Sequence, residues 1–409
     1  MKVVLRLAAA SILAIATASA FAQHYTQVNL TANTSGIAPV TDPNLINPWG
    51  LSRASGSPWW ISDNGTGLST LYNGVGAINP LVVTIPKANP ANKTFPTGTP
   101  TGTIANGSAT DFLLAPKTPA VFLFSTIDGT IQGWNPAVGI PAGGSAPSKT
   151  ATIVAKMTDG SSYTGLTSAI FQGHRYLYAA NFTKGRVDVF DNAFHAVKMH
   201  ADDDRGHDGD HDRGNDRDRD RDNDNQPFAD DDLPRHFVPF NVQAIGNDIV
   251  VTFVLHEDGQ PFESDGPGLG FVDIFSSSGK LLRRLEHTDW LNAPWGVALA
   301  PLDFGAYSHD LLIGQFAGGG GTEASGTISA YDLATGKFLG LVEDATGKPL
   351  AINGLWAISQ GNSATASSSD PAGAPGAELY FTAGPNHGSG GLFGYLKPVA
   401  AELAAGNDQ

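Results

Sequence analysis

Side chains with oxygen or nitrogen donors recur where short apolar strands begin and end. One set stands at the start of a repeated strand and comprises Asn47, Asp111, Asn241, Asn292 and Asn353. A second set follows the next strand of each repeat and comprises Asp63, Asn64, Asn181, His256, Glu257, Gln315, Asn386 and His387. If successive strands run in alternate directions, both sets open on the same side of the molecule. We therefore expect these side chains to surround one funnel.

Metal chemistry is one interpretation of this funnel. Asp63, Asn64 and Asp111 offer the carboxylate and amide oxygens that a hard cation such as Ca²⁺ takes. A bound Ca²⁺ could polarise an ester or lactone carbonyl, with His256 or His387 as the base. This interpretation predicts a metal-dependent, lactonase-like or esterase-like hydrolase with Ca²⁺ as its cofactor. The sequence contains no His-Glu-x-x-His, Gly-x-Ser-x-Gly or Gly-Lys-Ser/Thr motif, so the usual signatures of hydrolases and nucleotide-binding proteins are absent from it.

Binding without catalysis is the interpretation that we favour. The candidate ligand-binding residues are the amides Asn47, Asn181, Asn241, Asn292, Gln315, Asn353 and Asn386. Amide side chains both donate and accept hydrogen bonds, so they suit a small molecule, a glycan or a protein on the funnel face. Two plainer alternatives stay open. The Asp and Asn side chains could serve only as turn formers, and the protein could have a structural role in the cell envelope.

A repeated strand has to position these residues. Its clearest copies are residues 47–52, 292–301 and 353–359, and its weaker copies are residues 109–116, 163–166 and 239–242. Residues 49, 110, 164, 240, 295 and 356 stand at the equivalent position, so the steps between them are 61, 54, 76, 55 and 61 residues. A period of this length with several short strands per unit is typical of a β-propeller. The tryptophans at this position, Trp49, Trp295 and Trp356, indicate a packing role rather than sugar stacking.

The composition agrees with an all-β chain. With 49 Gly and 26 Pro among 409 residues, turns and short strands are favoured over long helices. The segment 25–31 alternates in polarity and has no partner strand nearby in the sequence. We expect it to complete the last blade, because this removes two open sheet edges at once. The sequence thus predicts one six-bladed β-propeller over residues 23–399, followed by a tail at 400–409.

The long step of 76 residues has a separate cause. Residues 200–232 carry 14 Asp and 5 Arg, a net charge of −9 out of the total of −15, which leaves −6 for the rest of the chain. Segment 200–226 has almost no apolar side chains to bury, so we expect a disordered, solvated insertion, with weak divalent-metal binding as its alternative. The acidic balance disfavours nucleic acid as a partner. We also expect a monomer.

The first 22 residues have the pattern of a signal peptide. Lys2 and Arg6 form a basic start, residues 7–18 are apolar or small, and small residues precede a cleavage site near Ala22. The apolar run is too short for a stable membrane span, and no second one follows. These features predict a protein exported to the periplasm or the exterior. The absence of cysteine excludes disulfides, catalytic thiols and thiolate metal sites.

The residues of the repeats also resemble those of a known family. The resemblance lies in residues 47–51, 233–242, 270–275, 354–356 and 381–385, and it extends from about Tyr25 to Tyr395. The family comprises uncharacterised exported bacterial proteins that are similar to propellers of NHL repeats. The resemblance implies a six-bladed β-propeller and brings no activity. Some members carry a C-terminal sorting signal with a basic tail, from which residues 397–409 differ.

Overall fold

The computed structural model describes residues 23–93, 96–201, 226–316, 325–361, 377–400 and 402. Within them the chain forms six sheets around a central axis, each built on four antiparallel strands. Two short strands add in parallel to the sheet of the sixth blade, and two further two-stranded sheets lie outside the six. The predicted all-β, six-bladed β-propeller is therefore confirmed. The predicted signal peptide, most of the 200–226 insertion and most of the 400–409 tail lie outside the described residues.

The first half of the chain provides blades 1 to 3 after two strands that belong elsewhere. The chain starts with β1 (His24–Ala32) and β2 (Val40–Thr41). Blade 1 consists of β3 (Pro48–Ser52), β4 (Trp59–Asp63), β5 (Leu68–Tyr72) and β6 (Val83–Thr84). Blade 2 consists of β7 (Pro100–Ala105) and, after a hairpin of β8 (Leu113–Ala115) and β9 (Thr118–Pro119), β10 (Phe122–Thr126), β11 (Thr130–Trp134) and β12 (Thr152–Lys156). Blade 3 consists of β13 (Tyr163–Phe171), β14 (His174–Asn181), β15 (Arg186–Phe190) and β16 (Ala196–Val197).

The second half provides blades 4 to 6. Blade 4 consists of β17 (Phe237–Ile245), β18 (Asp248–Leu255), β19 (Gly270–Phe275) and β20 (Leu281–Arg284). Blade 5 consists of β21 (Pro294–Leu299) and, after a 3-10 turn at Gly305–Tyr307, β22 (Leu311–Gln315), β23 (Ser325–Gly326), β24 (Ile328–Tyr331) and β25 (Phe338–Leu341), with β23 outside its sheet. Then come β26 (Glu343–Asp344), β27 (Ile352–Asn353), which pairs with β23, and the blade 6 strands β28 (Leu355–Gln360), β29 (Leu379–Ala383) and β30 (Leu392–Pro398).

Strand β1 supplies the fourth strand of blade 6. It pairs antiparallel with β30, from Tyr25 opposite Pro398 to Ala32 opposite Leu392. The buried Tyr25 hydroxyl donates a hydrogen bond to the Phe304 carbonyl of blade 5 (2.7 Å). The predicted closure of the ring by an N-terminal strand is therefore confirmed.

Blade 2 corrects one part of the repeat prediction. Residues 109–116 were expected to form its innermost strand, but the innermost strand is β7, which pairs with β10. The residue at the tryptophan position is consequently Thr101, between Pro100 and Gly102. The Pro-x-Gly spacing also occurs at Pro48 and at Pro294. Residues 109–116 resemble the repeat only through their closing Leu-Ala-Pro.

Glycine after the tryptophan position lets neighbouring innermost strands approach. A Cβ on Gly50 would lie 2.4 Å from the Thr101 carbonyl oxygen, and one on Gly102 would lie 2.4 Å from the Leu166 backbone nitrogen. Both distances are well below van der Waals contact, so no larger residue fits without moving backbone. These glycines set the width of the ring and therefore of the channel along its axis.

Candidate functional site

The innermost strands all begin on one face of the ring, which we name the upper face, and end on the opposite, lower face. At the upper end of the channel, Trp49 and Trp356 stack with ring centroids 3.6 Å apart. Trp295 meets the edge of both rings, Phe240 packs beside them and Phe316 stacks on Trp356 at 4.0 Å. These five residues are the aromatic plug. They confirm the predicted packing role of the tryptophans, and they occupy the centre of the predicted funnel.

Several of the predicted ligand-binding amides hold this plug in place. Asn47 accepts a hydrogen bond from the Trp356 indole N–H (3.0 Å), and its amide contacts that of Asn64 (3.5 Å). Asn64 donates in turn to the Pro100 carbonyl (3.2 Å). The buried Asn241 donates to the Trp295 carbonyl (2.7 Å). The structure thus brings these amides together at the plug, and all four of these contacts run within the protein.

Three other candidates lie where blades 5 and 6 begin. Asn292 accepts a hydrogen bond from the Gly266 N–H (2.7 Å), and its own N–H donates to Gln315 Oε1 (3.0 Å). Gln315 is buried and also donates to Ser329 Oγ (3.3 Å). Asn353 is half-buried on β27, opposite Ser325 of β23. These contacts fix the loops at the start of both blades.

The remaining upper-face candidates differ in exposure. Asn181 is fully buried and donates to Ser161 Oγ (2.9 Å) and to Asp188 Oδ2 (2.6 Å), so it braces blade 3. Asn386 and His387 are exposed in a turn with left-handed backbone, with φ of 55° and 54°. His256 packs against Phe182 at 4.4 Å, and its Nε2 lies 2.8 Å from the Gln260 carbonyl oxygen.

The three predicted metal ligands lie on two faces. Asp63 Oδ2 accepts hydrogen bonds from Thr70 N–H (3.0 Å) and Oγ1 (2.8 Å), and burial raises the pKa of this carboxyl well above its usual range. Asp111 follows β7 and therefore lies on the lower face. A hydrogen bond from Ser108 lowers its pKa, helped by Asn192 and Arg175. In the described parts of the chain, no three His, Asp or Glu side chains converge as metal ligands.

The lower end of the channel opens into a cavity of about 320 Å³, which we name the lower cavity. Five blades supply its walls: Leu51, Ser52, Arg53, Trp59, Thr103, Ile104, Gln243, Ala244, Ile245, Gly246, Val297, Ala298, Leu299, Ile358, Ser359 and Gln360. A narrow continuation reaches up the channel to Trp295 of the plug. Sequence reasoning missed this site because it considered only loops of the upper face. The signal was available in the residues that follow each Pro-x-Gly by one to three positions.

Among the described residues that line the lower cavity, Arg53 alone carries a formal charge. Its guanidinium lies over the Trp59 ring, 5.7 Å from the ring centre. Trp59 packs on Tyr380 at 4.6 Å and is only 1% exposed. The Trp59 indole nitrogen is buried, with no hydrogen-bond partner among the described residues. Two side chains that can only donate hydrogen bonds therefore stand side by side in the wall.

Comparison with known proteins identifies relatives without a known activity. No family model matches the chain. An uncharacterised protein of Acanthamoeba polyphaga mimivirus is 26% identical over 385 residues, covering 90% of this chain and 84% of its own. A second uncharacterised protein of the same virus is 26% identical over 336 residues, covering 80% and 71%. These relatives leave the predicted bacterial and exported character of the family untested.

Solved structures with a similar course of the chain have low sequence identity. A streptogramin B lyase is 10% identical with a TM-score of 0.45, covering 92% of this chain and 98% of its own. A glucose dehydrogenase is 12% identical with a TM-score of 0.47, covering 91% and 98%. A Bacteroides thetaiotaomicron protein of unknown function is 11% identical with a TM-score of 0.48, covering 92% and 76%. The assignment of the fold rests on the strand pairing of this chain itself.

Among the described residues, no helix has both the length and the apolar character needed to cross a bilayer.

Proposed function

We propose that this protein is a binding module for a small molecule and that the ligand occupies the lower cavity. The observation that carries the proposal is the asymmetry of the channel. Its upper end is filled by the aromatic plug, and its lower end opens into a cavity of about 320 Å³. This volume is at the small end of the range of known ligand pockets, about 300–1,000 Å³.

The walls of the lower cavity combine two kinds of contact. Leu51, Val297 and Ile358 offer apolar surface from three blades. Gln243 and Gln360 offer amides that can orient a polar group of the ligand. Polar groups contribute most of the exposed wall, so the cavity suits a ligand that carries hydrogen-bonding groups beside a smaller apolar part. The proposal keeps the binding role expected from the sequence and moves it from the funnel of the upper face to the opposite end of the channel.

The metal-dependent hydrolase receives no support from the geometry. Asp63 directs its carboxyl into blade 1 towards Thr70, and Asp111 lies on the lower face. Ligands to one ion have to lie within a few ångströms of one another, about 2.3–2.6 Å from Ca²⁺. We therefore base no catalytic proposal on these residues.

Thermal unfolding with a panel of small metabolites tests the proposed function. Ser359 is half-buried in the cavity wall, so Ser359→Trp should block the cavity. Lys184→Trp places the same bulk on an exposed turn of the upper face and serves as the matched control. We expect compounds that raise the melting temperature of the unmodified protein to lose this effect with Ser359→Trp and to keep it with Lys184→Trp. Equal effects on both variants, or loss with Lys184→Trp only, would overturn the proposal.

A further inference from the structure

We infer that the ligand of the lower cavity is an uncharged compound with several hydroxyl groups, of about the size of one sugar ring. This inference rests on the proposed function, because it names the class of ligand for the same cavity. Three properties of the wall support it: its neutral polar side chains, the free strand edges around it and the burial of the Arg53 nitrogens.

Neutral polar side chains from two blades line the cavity. Gln243 belongs to blade 4, and Ser359 and Gln360 belong to blade 6. All three residues are at least partly exposed. The Gln243 Nε2 makes a long hydrogen bond to the Ala244 carbonyl oxygen (3.4 Å). The described residues offer no hydrogen-bond partner to the Ser359 hydroxyl or to the Gln360 amide. These side chains are therefore available to a ligand.

The backbone adds hydrogen-bonding groups on several sides of the cavity. Strands β3, β17, β21 and β28 each stand at the inner end of their sheet and pair with a second strand on one side only. The free edge of a strand presents both N–H and C=O groups. The residues at the ends of these strands, Ser52, Ile245, Leu299 and Gln360, line the cavity. This explains how a wall with many aliphatic residues can be mostly polar.

Hydroxyl groups match this mixture of donors and acceptors. A hydroxyl both donates and accepts, so it pairs with an amide or a peptide group in either direction. A fully apolar ligand would displace water from the polar wall without replacing its hydrogen bonds, which is unfavourable. The C–H faces of a sugar ring can also contact Leu51, Val297 and Ile358. A cavity of about 320 Å³ is at the small end of ligand pockets, so we expect one ring.

The accessible wall favours a neutral ligand over a charged one. All three guanidinium nitrogens of Arg53 are buried, and the guanidinium lies over the Trp59 ring. Every other described residue that lines the cavity is neutral. A charged ligand would lose hydration without touching a group of opposite charge, and this costs far more than the desolvation of a hydroxyl. An acid or an amine should therefore bind more weakly than its neutral parent.

Matched sets of compounds test this inference on the full chain. We would measure the binding of glucose, galactose, mannose and myo-inositol by calorimetry. The charged counterparts are the uronic acid and the 2-amino sugar of each hexose and myo-inositol 1-phosphate, and cyclohexanol is the apolar counterpart. We expect at least one neutral compound to bind ten-fold or more tightly than its charged counterparts and than cyclohexanol. Its affinity should hardly change with ionic strength. Absence of binding by all four neutral compounds would overturn the inference.

Two variants assign the binding to the named amides. Gln243→Met and Gln360→Met keep a side chain of similar length and remove the amide, so each should weaken the binding of the neutral compound by about three-fold or more. Gln260→Met makes the same change on an exposed loop of the upper face and should leave the affinity unchanged. Unchanged melting temperatures and near-UV circular dichroism verify that the variants fold. Equal affinities in all three variants would contradict the role of the amides.

The outcomes separate the two proposals. If Ser359→Trp blocks compounds of the metabolite panel but no neutral sugar or inositol binds more tightly than its charged counterparts, the cavity binds ligands and the inference is wrong. If cyclohexanol binds as tightly as the best neutral compound, the hydroxyl groups are not recognised and the inference is also wrong. If a neutral compound binds and Ser359→Trp leaves its affinity unchanged, the ligand lies elsewhere and the proposed function fails with the inference.

Discussion

Trp49 of blade 1 and Trp356 of blade 6 stack with their ring centroids 3.6 Å apart, so the first and last blades meet on the axis of the ring. The same Trp356 donates its indole N–H to Asn47. Ring closure therefore has two parts, one at the outer edge, where β1 pairs with β30, and one at the centre, through the aromatic plug.

Truncation of Trp356 should open the centre of the ring. Trp356 is 2% exposed, so Trp356→Ala should lower the free energy of unfolding by about 3–5 kcal/mol, as for other large aromatic residues in cores. Trp356→Phe keeps part of the stacking and loses the hydrogen bond to Asn47, so its cost should be smaller, about 1–3 kcal/mol. Urea unfolding followed by fluorescence measures both. Equal losses of unfolding free energy in Trp356→Ala and Trp356→Phe would show that the stacked aromatic side chain does not stabilise the protein.

Position 102 should not tolerate even the smallest side chain, that of alanine. A Cβ at this position would lie 2.4 Å from the Leu166 nitrogen and 2.9 Å from the Gly165 carbonyl carbon, both backbone atoms of the next blade. Gly102→Ala should therefore destabilise the protein by about 1–3 kcal/mol. Gly107→Ala is the matched control, because a Cβ there would have no atom within 4 Å. Thermal unfolding should show a lower melting temperature for Gly102→Ala and almost none of this loss for Gly107→Ala.

Asp273 should make the protein less stable at alkaline pH. It is fully buried, with Oδ1 3.4 Å from Arg284 Nε, and Arg284 also pairs with Asp230. Burial, reinforced by the charge of Asp230, raises the pKa of Asp273 from 3.8 to about 8. The native state thus keeps a proton that the unfolded chain has released. The stability gained from this proton is complete below about pH 4 and is lost as the pH rises through about 8.

The variant Asp273→Asn replaces the protonated carboxyl group by a neutral amide of nearly the same volume. We expect its melting temperature to fall less than that of the unmodified protein between pH 5 and pH 9. Asp231→Asn removes an exposed carboxylate nearby and should leave the pH dependence as it was. Parallel curves for the unmodified protein and Asp273→Asn would contradict the assignment to Asp273.

Calcium should leave the stability of the propeller unchanged. Asp63 and Asp111 lie on opposite faces, so they cannot share an ion. We expect the same melting temperature in calcium and in chelator, for the full chain and for a variant without residues 200–226. A calcium-dependent rise that survives this deletion and disappears in Asp63→Asn would show that Asp63 binds metal after all.

The number of blades could be predicted from the sequence because each blade repeats a local pattern. Three features recur at similar intervals. They are an apolar strand that opens with Pro-x-Gly or a related sequence, a second strand rich in β-branched and aromatic residues, and a turn with Gly or Asn. Blade 2 shows the limit of this reasoning. Its Pro100-Thr101-Gly102 has no aromatic residue, so Leu-Ala-Pro at 114–116 gave the better match by composition although it forms only part of a hairpin.

The site was harder to predict because it depends on where strands of five blades meet. Asn47 and Asn241 have the residue type of ligand-binding groups, but only the assembled ring shows that they hold Trp356 and Trp295. Arg53 drew no attention in the sequence, since a single arginine in a turn is usually solvated. Its place beside Trp59 at a channel mouth arises only when the blades close.

Because β1 pairs with β30, the ring can close only when both strands are present. Strand β1 is synthesised before the other three strands of blade 6, so it has to wait for its partner until residue 398 is present. A product that stops before β30 keeps an open sheet edge, which proteases and other chains recognise. The seam can therefore close only after β30 has been made. Because His24 also hydrogen-bonds Glu402, a circular permutant joined there would move the open seam to another blade.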